Sequence, residues 1–505
     1  MGFILMSTFM TIFKRFVGID RQEAAFWFVL VFTFIANGIT LKDGHNWGDD
    51  FAQYILSAFN LIDGRPFQVS AVYGVDVSLP PFYSILILPW LKFFGLNFVL
   101  LKSLNILFWI LEVWGVYCLV RSRFDRDLAR AAAVLTAMSS YFFVFKQNLL
   151  TDIPFAVELL WAVVFFERYL KDGNARFFYL FLIISSAGLL TRSAALVLFV
   201  AAGLFLFYSK KKDPHWKRDI VFSFLACLLT LGLQKFFFGM GKGFFDQIFS
   251  DPWSYVQHCL HNANQAWAGL LYTIVPGQTD FSGLLFMLIA HVPYYGAAFF
   301  VMLFISTIYF ASKGRLDFVG CVFVIYMFMM LGWSWVPHSA YHFARFLLPV
   351  YGILLYLCVK IYVSPSLPGM KMRKAVLRGL CSLVVLFNAG NILYNWNFND
   401  DEILCPSAKE MCRWVVSHVQ HEDEVIFIRP KALHLMTGVS AVWVRDWRVL
   451  DAHKKYIILF NKKQDPLWDV IRKVPADEIL KVWANDDFSI YRLTKFPPTL
   501  SMTLR

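Results

Sequence analysis

The chain has 505 residues, of which 58% are hydrophobic and 16% are charged, and its formal net charge is +12. Its mean hydropathy is +0.55, whereas a soluble protein carries roughly 25% charged residues, so this composition excludes an ordinary soluble enzyme. The basic residues cluster in short segments between apolar runs, as expected of cytoplasmic loops, so nucleic acid is not needed as a partner. These clusters are Arg121–Arg130, Lys210–Arg218, Lys313–Arg315 and Lys371–Arg378.

The apolar runs predict about eleven membrane-spanning helices, because a helix needs roughly 20 mostly apolar residues to cross a bilayer. Before them, Met1–Val17 predicts a cytoplasmic interfacial helix. With the basic clusters in the cytoplasm, the N-terminus lies inside and the tail outside. The predicted spans are Ala24–Leu41, Asn97–Val120, Ala131–Phe145, Ile153–Leu170, a hairpin of two spans within Phe177–Tyr208, Ile220–Phe237, Leu284–Phe310, Phe318–Val336, Phe346–Tyr362 and Ala375–Tyr394.

Three outer segments between these spans have their own character. Phe51–Leu61 predicts an amphipathic helix, and Pro81–Phe94, with about fourteen residues, is too short to cross the membrane. We expect it to be a juxtamembrane segment on the outer surface. Gly239–Asp280 is a long outer loop rich in aromatic residues.

The tail from Asn397 changes to alternating helix and strand patterns. Pro406–Val419 has helical spacing of apolar residues, while Glu424–Ile428, Lys455–Phe460 and Phe488–Leu493 read as strands. The sequence therefore predicts a helical membrane module over residues 1–396 and a small soluble α/β domain over 397–505.

Asp49 and Asp50 stand together at the outer face, before the amphipathic helix. Two acidic residues at a helix start can simply cap it and favour its dipole. Alternatively, one of them takes a proton from an acceptor hydroxyl, or the pair ligates a divalent cation. The paired Asp486 and Asp487 in the tail precede a strand and are typical of a turn.

Asp152, Arg192 and Arg345 lie at outer helix ends in this threading. Asp152 before Ile-Pro is a good helix cap, and arginines at the interface can extend to lipid headgroups. The alternative is a phosphate clamp, since guanidinium groups bind phosphate oxygens in pairs of hydrogen bonds. His338 and His342 are close enough in sequence to assist Arg345.

These residues occur within an ordered set of motifs that resembles the GT-C glycosyltransferases. The relatives that the sequence resembles are bacterial enzymes of the dolichyl-phosphate-mannose protein mannosyltransferase and lipid A aminoarabinose transferase type. The resemblance covers about residues 20–350. Its motifs are Gly48-Asp-Asp-Phe-Ala-Gln-Tyr-Ile55, Gly64-Arg-Pro66, Pro80-Pro-Phe-Tyr83, Phe93-Phe-Gly95, Thr151-Asp-Ile-Pro-Phe155, Leu190-Thr-Arg192 and Arg345-Phe-Leu-Leu-Pro349.

The resemblance implies a GT-C fold, a polyprenyl-phosphate-linked sugar donor and inversion at the anomeric carbon. It implies an acidic catalytic residue in the first outer loop, which is Asp50 or Asp49 here, and a second acidic position at Asp152. Arg192 stands where relatives often have lysine.

The resemblance is also compatible with lipid, glycan or protein acceptors and with a bacterial plasma membrane. For substrate contacts, we expect Tyr54, Tyr83, His258 and Trp267 to take part. A transporter or lipid flippase is the rival interpretation, but transporters place polar residues near the membrane midplane, often in related halves. The polar residues of this chain gather at one face instead.

Overall fold

The computed structural model describes residues 21–67, 79–208, 215–238, 317–332, 340–363, 370–397, 401–420, 422–444, 455–462 and 465–494, with the single residues 253, 257 and 262. Over these ranges the fold is mostly helical, as predicted, with one small sheet in the tail. The predicted N-terminal interfacial helix and the predicted span Leu284–Phe310 lie outside the described residues.

The helices before the tail follow the apolar pattern of the sequence. They are α1 (Arg21–Ile39), α2 (Asp49–Ile62), α3 (Phe82–Phe94), α4 (Phe98–Arg121), α5 (Arg126–Ala137), α6 (Ser140–Phe145), α7 (Asp152–Asp172), α8 (Ala175–Thr191), α9 (Leu196–Tyr208), α10 (Trp216–Phe238), α11 (Phe318–Leu331), α12 (Ala340–Leu347), α13 (Tyr351–Val363) and α14 (Met370–Tyr394). Single turns of 3-10 helix, Ser193–Ala195 and Leu348–Val350, lead into α9 and α13.

Four helical segments of the described chain are long and apolar enough to cross a membrane. They are Phe98–Arg121, Arg126–Phe145, Trp216–Phe238 and Ala344–Val363. The second is bent, because α5 ends at Ala137 and α6 starts at Ser140 where one continuous span was predicted. Exposed leucine and phenylalanine side chains cover much of α10, which is typical of a lipid-facing helix. The chain is an integral membrane protein.

Helix α7 forms the centre of the membrane module. Its apolar side chains share one buried cluster with α4, α8, α9, α11 and α13. Gly352 permits the close approach of α13 to α4, because a Cβ atom there would lie 2.7 Å from Val116 and 2.9 Å from a Glu112 oxygen. Helix α7 is thus packed on several sides by neighbouring helices.

The tail forms a five-stranded sheet with helices. Its elements are α15 (Pro406–His418), β1 (Val425–Ile426), α16 (Pro430–Thr437), β2 (Ala441–Val442), β3 (Tyr456–Phe460), α17 (Leu467–Ile471), β4 (Ile479–Ala484) and β5 (Phe488–Leu493). The strand order is β2-β1-β3-β5-β4, with β1 parallel to both neighbours and β5 antiparallel to β3 and β4. The three predicted strands are present, although β1 is shorter than Glu424–Ile428, while β2 and β4 were missed.

The tail packs directly onto the loop between α1 and α2. The carbonyl oxygen of His45 accepts hydrogen bonds from the backbone N–H groups of Glu402 and Ile403, at 3.0 and 3.1 Å. The Trp47 ring meets Phe427 and Phe488 edge-on, with ring centroids 5.3 and 6.0 Å away. One hydrophobic cluster therefore runs from α2–α4 into the sheet.

Because Trp47 is 3% exposed and fills this junction, we expect Trp47→Ala to loosen the tail from the membrane module. Truncating a buried tryptophan costs about 3–5 kcal/mol. Limited proteolysis of the purified protein in detergent measures the effect as faster cleavage within the tail. Trp114→Ala is the matched control, because Trp114 is 53% exposed on α4. Equal cleavage rates in both variants would contradict this junction.

Candidate functional site

The two adjacent carboxylates at the start of α2 point to different partners. Helix α2 begins after Gly48, which has extended backbone and makes no side-chain cap, and Asp49 and Asp50 occupy the first turn. Neither carboxylate caps α2, although both occupy the first turn, where the helix dipole favours negative charge. Asp49 faces the tail, and Asp50 faces Arg345.

Asp49 binds the N-terminus of a helix in the tail. Its Oδ1 accepts hydrogen bonds from the backbone N–H groups of Lys431 (3.2 Å) and Ala432 (3.4 Å), in the first turn of α16, where an anion is favoured. Lys431 Nζ in turn donates to Gln53 Oε1 at 2.5 Å. Burial raises the pKa of the Asp49 carboxyl to about 6, although the nearby charges of Arg429 and Lys431 oppose the shift. At neutral pH, Asp49 is thus mostly ionised and joins α2 to the tail.

Asp50 belongs to a chain of alternating charges. Arg345 Nη2 donates to Asp50 Oδ2 at 3.4 Å, and Arg345 Nε donates to Asp152 Oδ2 at 2.9 Å. The other Asp152 oxygen forms an ion pair with Arg192. The Asp50 side chain is 55% exposed, whereas that of Asp152 is 1% exposed. The buried Asp152 carboxylate thus binds both guanidinium groups, and the Asp50 carboxylate is open to solvent.

Asp152 is the first residue of α7, and it does not cap this helix. Thr151 is the cap residue, and it makes no side-chain capping bond. The carboxylate of Asp152 is used by Arg192 and Arg345 instead. A buried carboxylate needs such charged partners, because an unpaired buried charge is very costly.

The segment leading into Asp152 is held by buried polar contacts. Lys146 Nζ donates to Asn37 Oδ1 at 2.7 Å and Thr40 Oγ1 at 2.6 Å, both on or next to α1. Burial lowers the pKa of the Lys146 amine to about 6. The backbone N–H of Leu149 donates to His45 Nε2 at 3.0 Å. Burial lowers the pKa of His45 to about 3, so its ring is neutral and can accept this bond.

The two arginines approach Asp152 from different parts of the chain. Arg192 is a single extended residue between α8 and the 3-10 turn, and Arg345 lies in α12. The Phe346 ring lies 5.3 Å from the Arg192 guanidinium carbon and 5.8 Å from that of Arg345, within cation–π range. Their side chains are 12% and 22% exposed.

A cavity of about 510 Å³ opens beside Asp50, between the α1–α2 loop and the tail. Asp50, Arg345 and residues near the start of α7 form one part of its lining, and tail residues form the other. The lining residues are His45, Asn46, Trp47, Gly48, Asp49, Asp50, Phe51, Phe145, Asn148, Leu150, Arg345, Glu402, Ile428, Arg429, Phe460 and Asp465.

The remaining predicted site residues either do not line the cavity or lie outside the described residues. Tyr54 and Tyr83 are buried and meet edge-on with centroids 5.0 Å apart, and the Tyr54 hydroxyl donates to Thr151 Oγ1 at 3.5 Å. Neither lines the cavity, so substrate contact by these two tyrosines stays a prediction. His258, Trp267, His338 and the side chain of His342 lie outside the described residues.

The geometry of the acidic pair bears on the prediction that it binds a divalent cation. Asp49 and Asp50 point apart, toward α16 and Arg345 respectively. Among the described residues, no group of three or more acidic, histidine or cysteine side chains could hold a metal ion. A divalent cation at this pair stays a prediction from the sequence.

Sequence reasoning missed the tail residues of the cavity, of which Glu402, Arg429 and Asp465 are charged. Proline at the start of α16 marks the helix that follows Arg429. No local signal shows that this helix meets Asp49, because the two are 382 residues apart.

Residues 78–233 match the family model of the dolichyl-phosphate-mannose-protein mannosyltransferases. The structure resembles apo ArnT from Cupriavidus metallidurans, with a TM-score of 0.55, 11% identity, and coverage of 94% of this chain and 98% of ArnT. It also resembles the archaeal oligosaccharyltransferase AglB from Archaeoglobus fulgidus, with a TM-score of 0.59, 13% identity, and coverage of 91% and 71%. The fold is that of the GT-C glycosyltransferases.

The resemblance seen in the motifs is therefore confirmed. A further match is ArnT from Cupriavidus metallidurans bound to undecaprenyl phosphate, with a TM-score of 0.54, 11% identity, and coverage of 92% of this chain and 97% of ArnT. A search of curated protein sequences gives no significant match. These comparisons do not favour the transporter interpretation.

Proposed function

We propose that this chain is an inverting glycosyltransferase that moves a sugar from a polyprenyl-phosphate-linked donor to an acceptor hydroxyl at the outer membrane face. The observation that carries this proposal is the Asp50 carboxylate. It is exposed in a large cavity and lies next to Arg345, which is itself fixed by the buried Asp152.

In the proposed reaction, Asp50 is the general base. It takes the proton of the acceptor hydroxyl while the hydroxyl oxygen forms a bond to the anomeric carbon of the sugar. The bond between that carbon and the donor phosphate oxygen breaks on the opposite face. The prenyl phosphate leaves with the bonding electron pair, and the configuration of the sugar is inverted.

Arg192 and Arg345 serve as the cations for the donor phosphate, with His338 and His342 as further candidates. The negative charge on the phosphate grows as the sugar leaves, so these cations stabilise the transition state more than the ground state. Asp152 positions both guanidinium groups through its two oxygens. Preformed ion pairs of this kind avoid reorganisation during the reaction.

Asp49 has a different role in this proposal. Its carboxylate is engaged with the N-terminus of α16, so it positions the tail above the site and does not touch the acceptor. Tyr54 and Tyr83 support the segment around Thr151. The outer loop Gly239–Asp280, with His258 and Trp267, is the proposed cover of the sugar.

The proposed orientation places the tail and the catalytic face outside the plasma membrane and the basic clusters in the cytoplasm. We expect a cysteine introduced at Glu422 in the tail to react with an impermeant thiol reagent in intact cells. A cysteine introduced at Arg373, in the Lys371–Arg378 cluster, should react only after permeabilisation. Labelling of Arg373→Cys in intact cells would overturn the threading.

The donor is found by presenting the purified protein with polyprenyl phosphates that carry different hexoses and pentoses. Release of prenyl phosphate with one of these donors, together with a glycosylated acceptor from a membrane extract, is the expected result. The absence of release with every donor in the panel and every acceptor class would count against the proposal.

A further inference from the structure

The carboxylates on the tail side of the cavity are already engaged by backbone amides. Asp465 accepts hydrogen bonds from the N–H groups of Phe460 (3.0 Å) and Leu467 (2.9 Å). Glu402 Oε2 accepts one from the N–H of Trp47 at 3.2 Å. Asp49 is engaged by α16 in the same way. Glu402 and Asp49 join the loop to the tail, and Asp465 holds β3 and α17 together within the tail. The acidic lining therefore does not indicate a cation site.

Arg429 is the exception on this side of the cavity. It is exposed, it lines the cavity, and its guanidinium group makes no hydrogen bond or ion pair with any residue that the structure describes. It lies close enough to α2 for its charge to act on Asp49. Its charge also acts on Asp465 in the cavity lining, without a hydrogen bond between them. A guanidinium that is not hydrogen-bonded, in a cavity that also contains Asp50, is a binding group for an anion.

The position of Arg429 relative to the sheet is an independent reason to expect a ligand beside it. Arg429 follows the carboxyl end of β1, and Phe460 is the last residue of the parallel strand β3. The chain leaves β1 for β2 on one side, and β3 lies on the other. In sheets of this kind, ligands bind in the crevice outside the carboxyl ends of the strands where the strand order reverses. Both Arg429 and Phe460 line the cavity at that edge.

We infer that the acceptor carries an anionic group, a phosphate or a carboxylate, next to its reacting hydroxyl, and that Arg429 binds this group. The inference rests on the proposed function, because the hydroxyl is delivered to Asp50. Arg429 is then a specificity-determining residue for the acceptor. The donor phosphate is bound separately by Arg345 together with Arg192, which does not line the cavity.

Matched acceptors test this assignment on the full-length protein in detergent, with the donor identified as above. Phosphatidylglycerol offers hydroxyls beside a phosphate, glucuronosyl diacylglycerol offers them beside a carboxylate, and glucosyl diacylglycerol is the neutral counterpart. We expect the wild type to use at least one anionic acceptor with a KM about ten- to a hundredfold below that of the neutral one, since a hydrogen bond to a charged group is lost otherwise. Arg429→Gln should remove this preference while the KM for the donor stays unchanged.

Arg429→Lys should restore part of the preference, and Arg413→Gln is the control, because Arg413 is an exposed arginine on α15 that does not line the cavity. As a readout that does not depend on transfer, glycerol 3-phosphate should bind the wild type more tightly than Arg429→Gln. Transfer without any preference for anionic acceptors, or with a preference that survives Arg429→Gln, would overturn this inference alone. Failure of the wild type to release prenyl phosphate with any donor would instead overturn the proposed function.

Discussion

Asp50→Asn is expected to slow sugar transfer about a hundredfold to ten-thousandfold, because removal of a general base commonly costs that much. Asparagine keeps the size of the side chain and its ability to bond Arg345, but it cannot take a proton. The Asp50 side chain is 55% exposed, so the variant should fold and insert normally. The rate of prenyl phosphate release at saturating donor, with expression matched, measures the effect.

Asp49→Asn is the matched control for this experiment. Its Oδ1 can still accept from the N–H groups of Lys431 and Ala432, so the chemistry should be retained and only the attachment of the tail weakened. The opposite result, an inactive Asp49→Asn and an active Asp50→Asn, would assign the base to Asp49. Near-normal turnover in both single variants and in the double variant would mean that the pair has no catalytic role.

Arg345→Lys is expected to slow transfer by about ten- to a hundredfold. Arg345 contacts Asp50 through one nitrogen and Asp152 through another, and a single ammonium group cannot reproduce both contacts together with a phosphate contact. Each charge-assisted hydrogen bond contributes roughly 1.5–3 kcal/mol. Donor-dependent kinetics should show the loss at limiting donor.

Arg192→Lys is the comparison, and we expect a smaller loss. Arg192 bonds Asp152 through one nitrogen only, which an ammonium group can replace. If both variants keep wild-type rates at limiting donor, the two arginines only balance the charge of Asp152 and the donor phosphate is bound elsewhere.

Local patterns were sufficient for most of the helices. Helix α4 starts where the apolar run starts, because Asn97 accepts a hydrogen bond from the N–H of Leu100 and caps it. The break between α5 and α6 was missed, since Met138-Ser139 carries no proline or glycine. Strand β2 was missed because it has only two residues, too few to show alternating apolar and polar side chains. Strand β4 was missed because it is buried on neither face, so its side chains show little of that alternation.

The candidate site was harder to predict than the helices. The charged residue types were found, but their pairing depends on contacts between distant segments. Arg345 and Asp50 are 295 residues apart. The different roles of Asp49 and Asp50 depend on α16, which no pattern in the first outer loop reveals. Asp152 looks like a helix cap in sequence because its two arginine partners come from other helices.

We expect this chain to transfer a sugar and not to transport a sugar lipid. The most direct measurement uses proteoliposomes that contain the labelled donor and a membrane acceptor, with wild type and Asp50→Asn compared side by side. We predict that the wild type releases prenyl phosphate in step with the glycosylated acceptor, and that Asp50→Asn releases almost none. If both proteins instead move intact donor between leaflets at equal rates and release no prenyl phosphate, that result would contradict sugar transfer by this chain.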